Sequence, residues 1–171
     1  VAIATLALGI GANTAIFSVV EALLLRPLPL PDSASLVFLS TSNPRRIGAG
    51  VPFSLVAYES IRDASRTISG LTAFCAESLT ITGAGDAEQV TGSLVSPDFF
   101  DVVGVHPVVG RGFAVNEGEA GGNPVVVISS ALWQKRFAGE PSVLGRPLTL
   151  GLTRYTIIGV MPPDFPFPFA G

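Results

Sequence analysis

An α+β chain with one membrane-spanning helix at its start is the architecture that the sequence predicts, on three observations. Val1 to Val20 carries no charge at all. The rest of the chain alternates short β-type runs with helical stretches behind Ser-type caps. Charged residues make up only 13% of the 171 residues and the mean hydropathy is +0.56, against a usual charged share of about a quarter. That apolar excess is concentrated in the first segment, so the two parts call for different solvents. The division that follows is a transmembrane helix over 1–26, a proline-rich connector over 27–35 and a partial mixed domain over 36–171.

A helix of about 20 residues spans the ~30 Å hydrocarbon core of a bilayer, and the uncharged segment has that length before Glu21. A cleaved signal peptide would show a basic start and a small-residue cleavage site. Here Glu21 to Arg26 continues the helical pattern instead. Ala7, Gly11 and Ala15 fall four apart on one stripe, the spacing that lets helices approach closely in lipid. Asn13, on the adjacent stripe with Thr5 and Gly9, needs a hydrogen-bonding partner there. These four positions, Ala7, Gly11, Asn13 and Ala15, are the expected helix-packing residues of an assembly with more than one membrane helix. Arg26, Pro27, Pro29 and Pro31 form the connector, because prolines at alternate positions remove donors and hold the chain extended.

Beyond the connector, Leu36 to Leu39 reads as a strand and Ser40 to Gly50 as a polar loop. An amphipathic helix fits Ser54 to Ser65, with Leu55, Tyr58, Ile61 and Arg62 on one face, as for a helix lying on a sheet. Leu71–Phe74, Leu79–Thr82 and Glu88–Val95 predict an antiparallel meander, with a turn at Gly83 to Asp86. Ser96 is the expected N-cap of a short helix that carries Phe99, Phe100, Val102 and Val103 into the core before Gly104 stops it. Val125–Ile128 reads as a strand leading through Ser129 as N-cap into a helix over Ala131–Phe137, and Arg146–Leu150 pairs with Tyr155–Val160 as a hairpin.

The net charge of −3 and a pI near 5.0 offer no basic field for a polyanion, which argues against nucleic acid as a partner. One cysteine, Cys75, excludes an intrachain disulfide, and its neighbours Phe74 and Ala76 suggest a small buried side chain. The single histidine, His106, supplies neither a Ser-His-Asp triad nor a His/Cys metal cluster. Asp98, Asp101, Glu117, Glu119 and Asp164 are spread over turns and caps, where a solvated or capping role is the plain reading. No phosphate-binding loop is present, Gly9-Ile-Gly11 lying inside an apolar helix. The expectation is therefore a chain without catalytic, metal or cofactor residues. Arg111 and Arg146 are expected in turn-linked ion pairs or carbonyl contacts, and Trp133 in the core with Phe137.

Several blocks together carry a family likeness. Leu6 to Val19 with Leu25-Arg-Pro-Leu-Pro29 resembles the first membrane helix and exit of MacB/FtsX-type ABC permeases, in particular the acidobacterial type. Val95 to Gly104, Gly110 to Phe113, Val127 to Phe137 and Tyr155 to Pro163 resemble, in order and spacing, the MacB-like periplasmic core domain. The resemblance implies a periplasmic domain made of a porter-like strand-helix part and a β-rich inserted subdomain, here truncated after Phe165. It also implies location at the bacterial inner membrane, contact with membrane lipid, and a homo- or heterodimer of permeases. A separate or fused cytoplasmic ATPase would drive motion of the periplasmic domain for export. The rival reading is a membrane-anchored extracytoplasmic sensor or binding domain, which the same anchor-plus-domain layout would serve.

Overall fold

The computed structural model describes residues 10, 11, 13, 14, 17, 30–33, 35–39, 41, 42, 50, 51, 54–83, 87–118, 121–163, 165 and 167. Most of the 1–26 segment lies outside these, so the transmembrane helix expected there is outside the described residues. Ile10, Gly11, Asn13, Thr14 and Phe17 are helical, with the Thr14 hydroxyl donating to the Ile10 carbonyl at 2.8 Å. Among the described residues no helix is long and apolar enough to cross a membrane.

The described part is a mixed α/β domain. Strands β1 (Thr41–Ser42) and β2 (Gly50–Val51) form a separate antiparallel pair. Helix α1 (Leu55–Ala64) follows, and then β3 (Phe74–Thr82), β4 (Glu88–Val95), α2 (Phe99–Val103), β5 (Val109–Gly110) and β6 (Val125–Ile128). Helix α3 (Ser130–Phe137), β7 (Pro147–Leu150) and β8 (Thr153–Val160) complete the order. Six strands make one sheet in the order β4-β3-β7-β8-β5, with β6 added alongside β8. All its pairings are antiparallel except β6 with β8.

Each face of this sheet buries its own cluster. Ile81, Ile128, Val143, Leu148, Ile157 and Val160 form the first, against which Leu132, Trp133 and Phe137 of α3 pack. Leu30, Phe99, Phe100, Val103 and Met161 form the second, joined by Leu36, Phe74, Val95, Phe113, Phe165 and Phe167. Alternation along the strands assigns the faces. On β6, Val126 and Ile128 point to the first cluster and Val127 to the second. Ile157 and Val160, three apart on β8, should point opposite ways, yet both belong to the first cluster. The register explains it: Val126 pairs with Ile157 but Val127 with Gly159, so an extra residue at this bulge resets the alternation.

The helices start where their caps dictate. Ser54 Oγ accepts from Ala57 N at 3.2 Å, and Ser129 Oγ from Leu132 N at 3.2 Å, satisfying amide donors that an α-helix leaves orphaned. Gly104, in the left-handed region at φ 74°, ends α2 with its N–H on Phe100 O.

Four local expectations are corrected. Leu36–Leu39 has no regular structure, and Val37 and Phe38 are 80% and 71% exposed; no strand among the described residues pairs with it, and an apolar run without a neighbour is not a strand. Of the first two runs of the expected meander, Leu71, Thr72 and Ala73 are irregular, and Phe74 joins Leu79–Thr82 in one nine-residue strand, β3, paired with β4 from Phe74↔Val95 to Ile81↔Glu88. Ser96 is not the N-cap of α2, whose N-cap is Asp98. Its hydroxyl instead donates to Asp98 Oδ1 at 2.6 Å, accepts from Ala73 N at 3.0 Å and meets Thr72 Oγ1 at 2.6 Å. Cys75 is exposed, because α3 covers its face of the sheet only farther along, around Ile81.

Candidate functional site

Beside α2 lies an open cleft of about 240 Å³, lined by Pro97, Phe100, Asp101, His106, Arg111, Gly112, Phe113 and Ala114. Helix α2 supplies Phe100 and Asp101; the turn at Gly104 returns the chain so that His106 stands over the same helix. Strand β5 then delivers Arg111 to Ala114. This delivery depends on Gly110, at φ 79°, and on Gly159, its partner across the ladder. A Cβ on Gly110 would strike the Ile158 carbonyl oxygen, and one on Gly159 the Arg111 carbonyl oxygen. Only glycine lets the two backbones approach this closely.

The floor is the buried ring of Phe100 stacked on Phe113, with centroids 5.4 Å apart and planes at 16°. One wall is an ion pair. Arg111 Nη1 donates to Glu117 Oε2 at 2.8 Å and Nη2 to Glu117 Oε1 at 2.6 Å, a two-pronged contact. Arg111 Nη1 also donates to the Gly112 carbonyl at 2.9 Å, and Glu117 Oε2 accepts from Ala114 N at 2.7 Å. The Arg111 guanidinium, helped by the Ala114 N–H, holds the Glu117 carboxyl down at about 2, against burial that pushes it up. The opposite rim is looser: His106 Nδ1 lies 3.7 Å from Asp101 Oδ1, both side chains largely in solvent.

Asp98 is engaged by Ser96 and Glu117 by Arg111, while His106 and Asp101 are solvated. Among the described residues no group of three or more His, Cys, Asp or Glu is placed to hold a metal ion. Glu119 and Asp164 lie outside the described residues.

Arg111 stands in a turn-linked ion pair, as its position between two glycines suggests. Arg146 lies 3.8 Å from Glu140 and over the Phe137 ring at 5.9 Å. Trp133 packs on the first cluster and donates its indole N–H to Glu140 O at 2.9 Å. Of the helix-packing positions, Gly11 and Asn13 are helical and exposed, with open space around Gly11; Ala7 and Ala15 lie outside the described residues. Of the connector positions, Pro31 is exposed and Arg26, Pro27 and Pro29 are outside the described residues. Sequence reasoning missed Leu30. It sits between two prolines of the connector, yet is 7% exposed in the second cluster.

The described residues form a mostly antiparallel sheet with a buried cluster on each face and a polar-rimmed cleft beside α2. The chain belongs to the MacB-like periplasmic core domain family, which matches residues 1–171. Its fold is similar to the periplasmic region of MacB from Actinobacillus actinomycetemcomitans, at 19% identity and a TM-score of 0.56, covering 65% of this chain and 51% of that one. It is also similar to the extracellular domain of the noncanonic ABC-type transporter YknZ from Gram-positive bacteria, at 20% identity and a TM-score of 0.56, covering 66% of this chain and 58% of that one. The chain thus spans between half and three fifths of these relatives. No curated protein sequence matches it.

Proposed function

We propose that the chain is part of a non-catalytic permease subunit of an ABC transporter, anchored in the bacterial inner membrane through residues 1–26, with the domain after the helix on the extracytoplasmic side. The observation that carries this reading is the family match, which extends through the uncharged Val1–Val20 segment as well as the folded domain. A cytoplasmic ATPase, separate or fused, supplies the energy for export. The first helix packs through Ala7, Gly11, Asn13 and Ala15 against further membrane helices, in a homo- or heterodimer surrounded by membrane lipid. Arg26, Pro27, Pro29 and Pro31 form a stiff link that passes helix motion to the domain. Burial of Leu30 supports this, since a link clamped into a core moves the core with it.

Membrane placement is tested by fusing a reporter active only outside the cytoplasm after Gly171 and expressing the fusion in a Gram-negative host. Reporter activity in the membrane fraction is expected. An inactive fusion, or an active one recovered in the soluble fraction, contradicts the anchored arrangement. The sensor reading shares this topology and is separated from the permease by whether an ATPase co-purifies with the protein.

A further inference from the structure

Six phenylalanine rings form an unbroken row across the second cluster. Phe38 meets Phe74 with centroids 5.8 Å apart, Phe74 meets Phe167 at 5.3 Å, and Phe167 meets Phe99 at 4.6 Å. Phe99 then meets Phe100 at 5.5 Å and Phe100 stacks on Phe113 at 5.4 Å. Each separation lies in the range where aromatic pairs attract. The row begins at Phe38, in the irregular segment that follows the connector, and ends on Phe113 at the floor of the cleft. Leu30, the last connector residue before Pro31, packs into the same cluster.

The outer end and the middle of the row differ in freedom. Phe38 is 71% exposed and can move, whereas Phe99 is 1% and Phe100 7% exposed and have no room to absorb a neighbour's displacement. A close-packed interior passes such a displacement on. We propose that this row is a coupling device, carrying displacement of residues 30–39 to the cleft around Asp101, His106 and Arg111. It rests on the reading above, in which the connector moves with the first membrane helix, and names the path by which that motion reaches a surface. The cleft is the far end of the path because Phe113 lies between Gly112, whose carbonyl Arg111 holds, and Ala114, whose N–H Glu117 holds. A shift of the Phe113 ring therefore moves the Arg111–Glu117 wall.

The test uses the full chain in detergent micelles, labelled with para-fluorophenylalanine, and follows the fluorine resonance of Phe113, assigned by Phe113→Leu. Phe38→Leu should move that resonance, although Phe74, Phe99 and Phe100 stand between the two even by the direct Phe74–Phe99 contact at 6.3 Å. Val56→Ala, at a 72% exposed position on α1 that is not part of the row, should not. Cutting the row with Phe99→Leu should abolish the response to Phe38→Leu. A Phe113 resonance that ignores Phe38→Leu while the Phe74 resonance shifts overturns the proposal, and so does an equal response to Val56→Ala. If Phe99→Leu fails to fold, the comparison of Phe38→Leu with Val56→Ala still decides. No ATPase enters this measurement, so a positive result beside a failed ATPase association removes the permease reading and leaves the coupling standing.

Discussion

Gly110 and Gly159 face each other where β5 crosses β8, and neither has room for a methyl group: each would place it against a carbonyl oxygen of the opposing strand segment. Backbone cannot swing aside as a side chain can. Gly159→Ala should therefore destabilise the domain by ~2–4 kcal/mol, and Gly110→Ala by no less, since its φ of 79° adds strain. Denaturant titration checks both. Leu152→Ala, at a fully exposed turn position, is the control and should stay within about 0.5 kcal/mol.

Acid should weaken the domain through Glu117. Its carboxyl titrates at about 2 when folded against an ordinary 4.5, so the folded state holds the proton less tightly. The resulting stability is fully present above pH 4.5 and drains as the pH falls towards 2. The guanidinium opposite is half in solvent, which reduces the contribution to ~1–2 kcal/mol. Thermal melts across that window should show a steeper acid loss for the native protein than for Glu117→Gln. Parallel curves would mean that the pair contributes nothing.

Ala138 is the only non-glycine at positive φ among the described residues, at 52°, directly after α3. A side chain there pays for the left-handed conformation, so Ala138→Gly should raise stability by about 0.5–1 kcal/mol. Most substitutions destabilise, which makes the sign of this one informative.

Ser96 holds three segments together through one hydroxyl: the residues before β3, the end of β4 and the cap of α2. Ser96→Ala leaves the Asp98 carboxylate and the Ala73 N–H to find water, at a cost of ~1–3 kcal/mol. Ser129→Ala, which removes only a cap, should cost about 1 kcal/mol. Equal losses would mean that the three-way contact of Ser96 adds nothing beyond a single hydrogen bond.

What was legible in the sequence had its cause nearby. The run Val125–Ile128, Ser129 and the helix after it could be read because strand propensity, cap chemistry and helical spacing agree within a dozen residues. What was not legible had a distant cause. Cys75 lies between apolar neighbours, but whether its face is covered depends on where α3 crosses, more than fifty residues later. The bulge that turns both Ile157 and Val160 inward comes from pairing with β6 and leaves no mark in the local pattern. Leu30 was hidden by its prolines: a connector composition concealed a core residue. In the cleft, Arg111 between two glycines pointed to a turn-linked contact, while its partner Glu117, expected to be solvated or capping, and the stacking of Phe100 on Phe113 follow only from the fold.

Membership of an ATP-driven permease is tested by purifying the natural protein that carries this chain from its own membranes. An ATPase should co-purify, and its hydrolysis rate should change when Asn13 is replaced by Leu. Recovery of the protein as a single-pass species with no associated ATPase would contradict the permease reading and favour the anchored sensor.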